Sequence, residues 1–223
     1  MDLADDLIQK GVLKTPRIIS AFRAIHRADF MPESDQSLAN IDEAFPIGER
    51  QTISQPYTVA CMLELLQAEP GHTVMDVGSG SGWQTALLAH IVTDNKRVGG
   101  RVFALERLPA LCAFGKANIE KYNFITSGVV EVFCRNAVTG LAEIAARIGG
   151  FDRIIAAAAL RVPGTMQGVE MLISQIPPAW RQYIKIEGRI VLPINESIWV
   201  FTKRSDGSFT GIEYPGFVFV PLL

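Results

Sequence analysis

"VMDVGSGSGWQTALL", residues 74–88, is the stretch whose reading decides the fold. A β-type apolar run ends in Asp76, glycines follow at Gly78, Gly80 and Gly82, and a helix-like run begins at Trp83. Glycines in a strand-to-helix turn let the backbone bend sharply and let a ligand approach main-chain atoms closely. In a parallel sheet such a turn places the site at the carboxyl ends of the strands. A βα turn that binds nothing is the plain alternative, and alternate glycines beside Asp76 argue against it. A dinucleotide turn reads G-x-G-x-x-G; this one reads G-x-G-x-G, which disfavours a nicotinamide oxidoreductase.

Outward from that turn, the alternation continues. "GRVFALE" and "LPALCAFGKANIEKY" repeat the strand and helix, and "GVVEVFC" with "VTGLAEIAARI" repeats them again. "FDRIIAAAA" opens a fourth unit, whose helical part around residues 165–184 is interrupted by Pro177 and Pro178, and "GRIVLPI" reads as a fifth strand. "SIWVFTKR", a turn at Asp206 and Gly207, and then "GFVFVPLL" read as an antiparallel strand pair without an intervening helix. The expected fold is therefore α/β: a Rossmann-like doubly wound, mostly parallel sheet with an antiparallel C-terminal strand pair and an N-terminal helical segment.

Residues 1–70 form that helical and loop segment, and 71–223 the sheet domain, the two expected to make one compact unit. Thr15 and Pro16 resemble an N-cap and first helical position ahead of Ile18, Ile19, Phe22 and Ile25. Residues 31–56, rich in Pro, Gly, Ser and acidic residues, are expected to be a long surface loop. Pro56 then starts a helix with Val59, Met62, Leu63 and Leu66 at helical spacing. Gln55 falls near its N-cap, although Gln caps poorly, so capping alone does not account for the polar cluster Gln51, Thr52, Ser54 and Gln55.

Bulk properties narrow the function classes. The 223 residues are long enough for one substantial core, with 48% hydrophobic and 20% charged residues and a formal net charge of −2. No basic run points to nucleic acid, and no window supplies a membrane helix. Cys61, Cys112 and Cys134 are widely spaced among apolar neighbours, so no disulfide framework is expected and a reducing, cytoplasmic setting is inferred. His26, His72 and His90 lack metal-ligand spacing, so no metal is expected.

Glu106 ends the second strand in "RVFALER", where an acidic side chain can accept hydrogen bonds from both hydroxyls of a ribose. With these residues the sequence reaches a resemblance. "DVGSGSG" with "ALER" resembles the class I, Rossmann-like methyltransferases that bind S-adenosylmethionine. "FPIGERQTISQPYTVACMLELL" resembles the segment before the glycine motif in the protein-L-isoaspartate (D-aspartate) O-methyltransferases, whose pattern runs P-I-G-x-G-Q-T-I-S-x-P. The similarity extends through "FDRIIAAAA", "GRIVLPI" and the terminal "FVFVPL".

The resemblance implies S-adenosylmethionine as cofactor and isoaspartyl-containing peptides or proteins as substrate, in the repair of damaged proteins. It implies that Gly78, Ser79, Gly80 and Gly82 surround the methionine part and that Glu106 holds the ribose. Asn136 and Ala137 occupy the family's usual Asp-Gly after the third strand, where the Asn136 carbonyl would accept from the adenine amino group. Thr52, Ile53 and Ser54 match the family's T-I-S, in which the serine is the active-site residue and the loop closes over cofactor and substrate. Ser54 would also precede a helix N-terminus whose free N–H groups could hold a substrate carboxylate.

Three departures bear on the acceptor. Arg50 stands at the family's second glycine, "AAAALR" replaces T-A-A after strand four, and the segment from Arg161 to Glu187 is longer than usual. They leave open an S-adenosylmethionine-dependent enzyme with a different acceptor, and Asn136 leaves open a cofactor-binding relative without catalysis.

Overall fold

The computed structural model describes residues 2–93, 99–163 and 168–222. Helices α1 (Leu3–Gln9) and α2 (Pro16–Ala24) lead into two 3₁₀ turns, Arg27–Phe30 and Glu33–Leu38. A small hairpin, β1 (Phe45–Gly48) and β2 (Gln51–Ile53), precedes α3 (Pro56–Leu66). The stretch 31–56 is thus not the long surface loop expected from its composition. Ile47 and Ile53 are buried on one side of the hairpin, and such alternation over three or four residues is too short to register as a strand signal.

The main sheet comprises β3 (Thr73–Val77), β4 (Arg101–Glu106), β5 (Val130–Cys134), β6 (Phe151–Ala156), β7 (Ile184–Ile194), β8 (Ser197–Lys203) and β9 (Phe209–Pro215). Its order is β5-β4-β3-β6-β7-β8-β9. Pairing is parallel from β5 to β7 and antiparallel at β7–β8 and β8–β9. Helices α4 (Trp83–Thr93), α5 (Pro109–Glu120), α6 (Ala142–Ile148), α7 (Val169–Gln175) and α8 (Pro178–Tyr183) fill the connections. The prolines at 177 and 178 separate α7 from α8, as their missing N–H groups require; residues 165–167 of that expected helical region lie outside the described residues.

Two expectations are corrected at the C-terminus and among the cysteines. The partner of β8 is Phe209–Pro215, not the terminal apolar run. Gly216 has φ 96° and turns the chain away, after which Pro221 bridges to Ala159. The terminal residues look strand-like because they are β-branched and aromatic, but their apolar side chains serve packing beside β6. Cys112 on α5 and Cys134 at the end of β5 form a disulfide, with Cα atoms 5.8 Å apart, leaving Cys61 free. The β4–α5–β5 crossover brings these distant positions together, which spacing along the chain does not reveal. The inference of a reducing compartment from unpaired cysteines loses its basis accordingly. No helix among the described residues is long and apolar enough to cross a membrane.

Helix α4 is buried nearly all round, because the sheet covers one side and α2 the other. Phe22 of α2 meets the Trp83 ring edge-on at 5.6 Å. Leu3, Leu7, Ile18 and Leu63 share one apolar core with Val74, Leu87 and Val102, so the N-terminal segment is packed onto the sheet domain.

Helix α3 is held at both ends by distant side chains. At its start Gln55 makes no side-chain cap; the Tyr57 N–H donates instead to Asp42 Oδ1 at 2.8 Å, and Asp42 is paired with Lys10 at 2.7 Å. At its end Arg189 donates to the Leu65 carbonyl, Arg153 to Leu66 and Arg17 to Ala68, at 3.0, 2.8 and 2.7 Å. Cations at a helix C-terminus satisfy its free carbonyls and oppose its dipole.

Candidate active site

The strand order reverses at β3, and there, beyond the carboxyl ends of β3 and β4, opens a cleft of about 1000 Å³. That is the upper end of the range for small-molecule sites, which leaves space for a cofactor and part of an acceptor. Gly78 and Gly80 line it with φ 74° and 51°, the left-handed conformations their turn requires. The N–H groups of Gly78 and Ser79 donate to the Leu105 carbonyl at 2.9 and 3.1 Å, tying the turn to β4.

Glu106 is buried and fixed through both oxygens: Gly80 N–H donates to Oε2 at 3.0 Å and Leu108 N–H to Oε1 at 2.9 Å. Each carboxylate oxygen keeps acceptor capacity for a ribose hydroxyl. A Cβ placed on Gly78 would meet nothing within 4 Å, so open space lies beside the backbone where a ligand must approach. Together these features fit S-adenosylmethionine.

Gly82 has a different task from the one expected. It is not on the cleft; a Cβ there would come within 2.9 Å of the Gly115 carbonyl, and one on Gly115 within 2.5 Å of the Gly80 carbonyl. The glycine turn and α5 therefore touch backbone to backbone. Gly115 went unnoticed in the sequence, although a glycine inside a helical pattern is the signal for such an approach.

Asp76 is also behind the cleft. Fully buried, it accepts from Gln84 Nε2 at 2.8 Å and Thr85 Oγ1 at 2.6 Å, fastening the first turn of α4 to the end of β3. Burial pushes its carboxyl up to about 6, against the lowering effect of those two donors.

Beyond the end of β5 Ala137 lines the cleft, and its carbonyl accepts from Trp180 Nε1 at 2.8 Å. Asn136 is not against the cleft: its Oδ1 accepts the Val138 N–H at 2.8 Å in a local turn. The neighbouring Arg135 does line it, paired with Glu143 and lying over the Phe133 ring at 5.0 Å.

Thr52, Ile53 and Ser54 form the facing wall. Ile53 is buried as the hairpin's anchor, and no hydrogen bond is made by the half-buried Ser54 hydroxyl among the described residues. The expected anion site at the start of α3 is already served from within the chain, because Asp42 takes the Tyr57 N–H. Residues 216–222 close the far side, with Val218 exposed at 82%.

Arg27, unmarked by any sequence pattern, fixes this wall in place. Its side chain is buried and donates to the carbonyls of Ala39, Ile41, Glu43 and Ser54 at 3.2, 3.0, 2.7 and 3.1 Å. The guanidinium also lies over the Trp83 ring at 5.3 Å and the Phe45 ring at 5.5 Å. Burial lowers it to about 10, so it stays charged at neutral pH. Among the described residues no group of His, Cys, Asp or Glu is gathered as a metal would need.

A switch-point cleft, a glycine turn and an acidic side chain ending the next strand make up the architecture of a class I, Rossmann-like methyltransferase. The particular family follows from the whole chain: residues 1–223 match the model for protein-L-isoaspartate(D-aspartate) O-methyltransferase, and the chain belongs to that family. It is 35% identical to a protein-L-isoaspartate O-methyltransferase of Aeropyrum pernix, over 99% of this chain and 78% of that one. It is 32% identical to another from Methanopyrus kandleri, over 99% and 89%. Its fold is shared with a Plasmodium falciparum beta-aspartate methyltransferase crystallised with S-adenosyl-L-homocysteine, with TM-score 0.80, 22% identity and coverage of 99% and 96%.

Proposed function

We propose that this chain transfers the methyl group of S-adenosylmethionine to the carboxylate of isoaspartyl residues in damaged proteins. The observation that carries the reading is one cleft with the Gly78–Gly80 and Glu106 cradle on one wall and the Thr52–Ser54 hairpin on the other. The bound cofactor supplies an electrophilic methyl on a positively charged sulfur. The acceptor carboxylate is ionised at neutral pH and is itself the nucleophile, so the chain need provide no general base. As the oxygen–carbon bond forms the carbon–sulfur bond breaks, and the opposite charges of carboxylate and sulfonium cancel.

What remains for the protein is placement and exclusion of water. Glu106 holds the ribose, Gly78 and Gly80 allow close backbone approach, and the free Ser54 hydroxyl donates to the acceptor and orients it. Thr52 and Ile53 set the height of that serine above the cofactor. Val218 and its neighbours cover the acceptor from the far side. We place the enzyme in the cytoplasm on the ground of its family and not of its cysteines, with isoaspartyl proteins as its partners and no nucleic acid or membrane.

Incubation with labelled S-adenosylmethionine and an isoaspartyl peptide, beside its normal aspartyl twin, tests the reading. A base-labile methyl ester on the isoaspartyl peptide alone is expected. Cofactor binding without any ester on that peptide would refute it and favour a different carboxylate acceptor, the second reading, to which Arg50 at the cleft lip points.

A further inference from the structure

We infer that Arg50 is a specificity residue that favours acceptors carrying a second anionic side chain a few residues from the isoaspartyl residue. The inference rests on the proposed isoaspartyl activity and deepens it.

The turn joining β1 to β2 consists of Glu49 and Arg50, because Gly48 pairs with Gln51. Both turn residues have positive φ, 51° and 57°. A two-residue hairpin turn of this kind is normally built from Asn and Gly, because a side chain in the left-handed region is strained. The family pattern has glycine where Arg50 stands. Two consecutive side chains in glycine conformation mean that the hairpin accepts strain to carry them, a cost that accumulates at ligand clamps.

Position and lack of partners give Arg50 its task. It is exposed, lines the cleft mouth beside Thr52 and Ser54, and among the described residues makes no hydrogen bond or ion pair. Of the other cleft arginines, Arg135 is committed to Glu143, while Arg107 follows β4 on the cofactor side rather than on the hairpin; Arg27, behind the hairpin, is committed to four carbonyls. Of the carboxylates nearby, Asp42 is committed to Lys10 and Glu106 to two N–H groups, and the exposed Glu43 makes no ion pair with Arg50 among the described residues. Glu49 is adjacent but not paired with Arg50, so the guanidinium remains available.

Reach sets the register. Four residues of extended chain separate Arg50 from Ser54, about 13 Å at roughly 3.3 Å per residue. An extended acceptor peptide covers that span in about three to four residues, and the flexible guanidinium shortens it by one or two. The second anion therefore belongs about one to three residues from the methylated one. An exposed charge pair of this kind is expected to change kcat/KM about two- to five-fold.

The test uses the intact protein and three isoaspartyl peptides: one with Glu three residues before the isoaspartyl, one with Glu three residues after, and one with Gln at both places. The ratio of kcat/KM between each acidic peptide and the neutral one is taken within each enzyme, so a general loss of activity cancels. The wild-type chain is expected to prefer one acidic peptide through KM, less so at high salt. Arg50→Gly, which also suits the backbone, is expected to abolish the preference, Arg50→Lys to keep it and Glu49→Gln to enlarge it. Equal ratios in the wild type, or a preference that survives Arg50→Gly, would overturn the inference. Methylation of none of the peptides would instead refute the isoaspartyl function.

Discussion

Replacing Arg27 with Leu tests how the acceptor wall is built. The change removes donors from four carbonyls, but not all are equally exposed to water. The bond to Ala39 is buried and those to Ile41, Glu43 and Ser54 are part-buried, but Ile41 and Glu43 are exposed residues, so water can best replace the arginine there. Hydrogen bonds from a charged donor contribute about 1.5–3 kcal/mol each, so losing two in full costs about 3–6 kcal/mol. The ring contacts to Trp83 and Phe45 add about 1 kcal/mol. Against this stands relief from burying the charge, whose lowered pKa of about 10 corresponds to about 3 kcal/mol. The bonds win, and a net loss of about 1–4 kcal/mol is expected, a sizeable part of the stability of an ordinary domain. Urea unfolding followed by tryptophan fluorescence measures it. With the folded variant, kcat/KM for an isoaspartyl peptide should fall by up to about 10²-fold through misplacement of Ser54. Affinity for S-adenosylhomocysteine should change little, since Arg27 does not touch Glu106 or the glycine turn. Stability within about 1 kcal/mol of wild type, with peptide turnover preserved, would refute the assigned role.

Other consequences can be checked separately. Ser54→Ala is expected to lower kcat for the peptide by about ten-fold or more while calorimetric cofactor affinity stays unchanged; equal loss of both would contradict an orienting role. Gly115→Ala puts a methyl against the Gly80 carbonyl, so cofactor affinity should weaken although residue 115 is off the cleft; titration with S-adenosylhomocysteine reads this. Asp76 holds its proton to about 6 when folded, against 3.8 as the ordinary value, so its neutral form favours the fold and that contribution is lost as pH rises between them, by up to about 3 kcal/mol. Asp76→Asn cannot ionise, and its stability relative to wild type should improve over that interval; a constant difference in urea midpoints would exclude such titration. Reduction of the Cys112–Cys134 disulfide, which closes a loop of sequence separation 22, should cost about 3 kcal/mol, and thiol titration of the denatured chain should rise from Cys61 alone to include both partners.

The elements readable from the sequence are those whose signal is local. Val74 to Val77 and Val102 to Leu105 are short apolar runs bounded by turns, and Pro16 and Pro56 mark helix starts whatever surrounds them. The cleft wall formed by Gly78, Gly80 and Glu106 was legible for the same reason, since these residues sit at fixed places within βα units. What escaped depends on residues far apart in the chain. Asp42 caps α3 across a hairpin, Arg27 reaches carbonyls on both sides of it, and Gly115 matters only because α5 lies against Gly80. Cys112 and Cys134 meet through a crossover. The terminal "GFVFVPLL" misled because strand-like composition reports a half-buried extended segment, and the ladder partner was decided by the Gly216 turn.

Helix α3 has a mechanical consequence. Its far end is clamped by Arg17, Arg153 and Arg189, while its near end carries the chain straight from Ser54. Eleven residues make a lever about 16 Å long, so a tilt of about 4° about the clamp swings the serine by about 1 Å. Such a displacement is enough to cost much of a positioned reaction's rate. Three arginines off the cleft, Arg17 on α2, Arg153 on β6 and Arg189 on β7, thus set the aim of a hydroxyl at the other end of the helix.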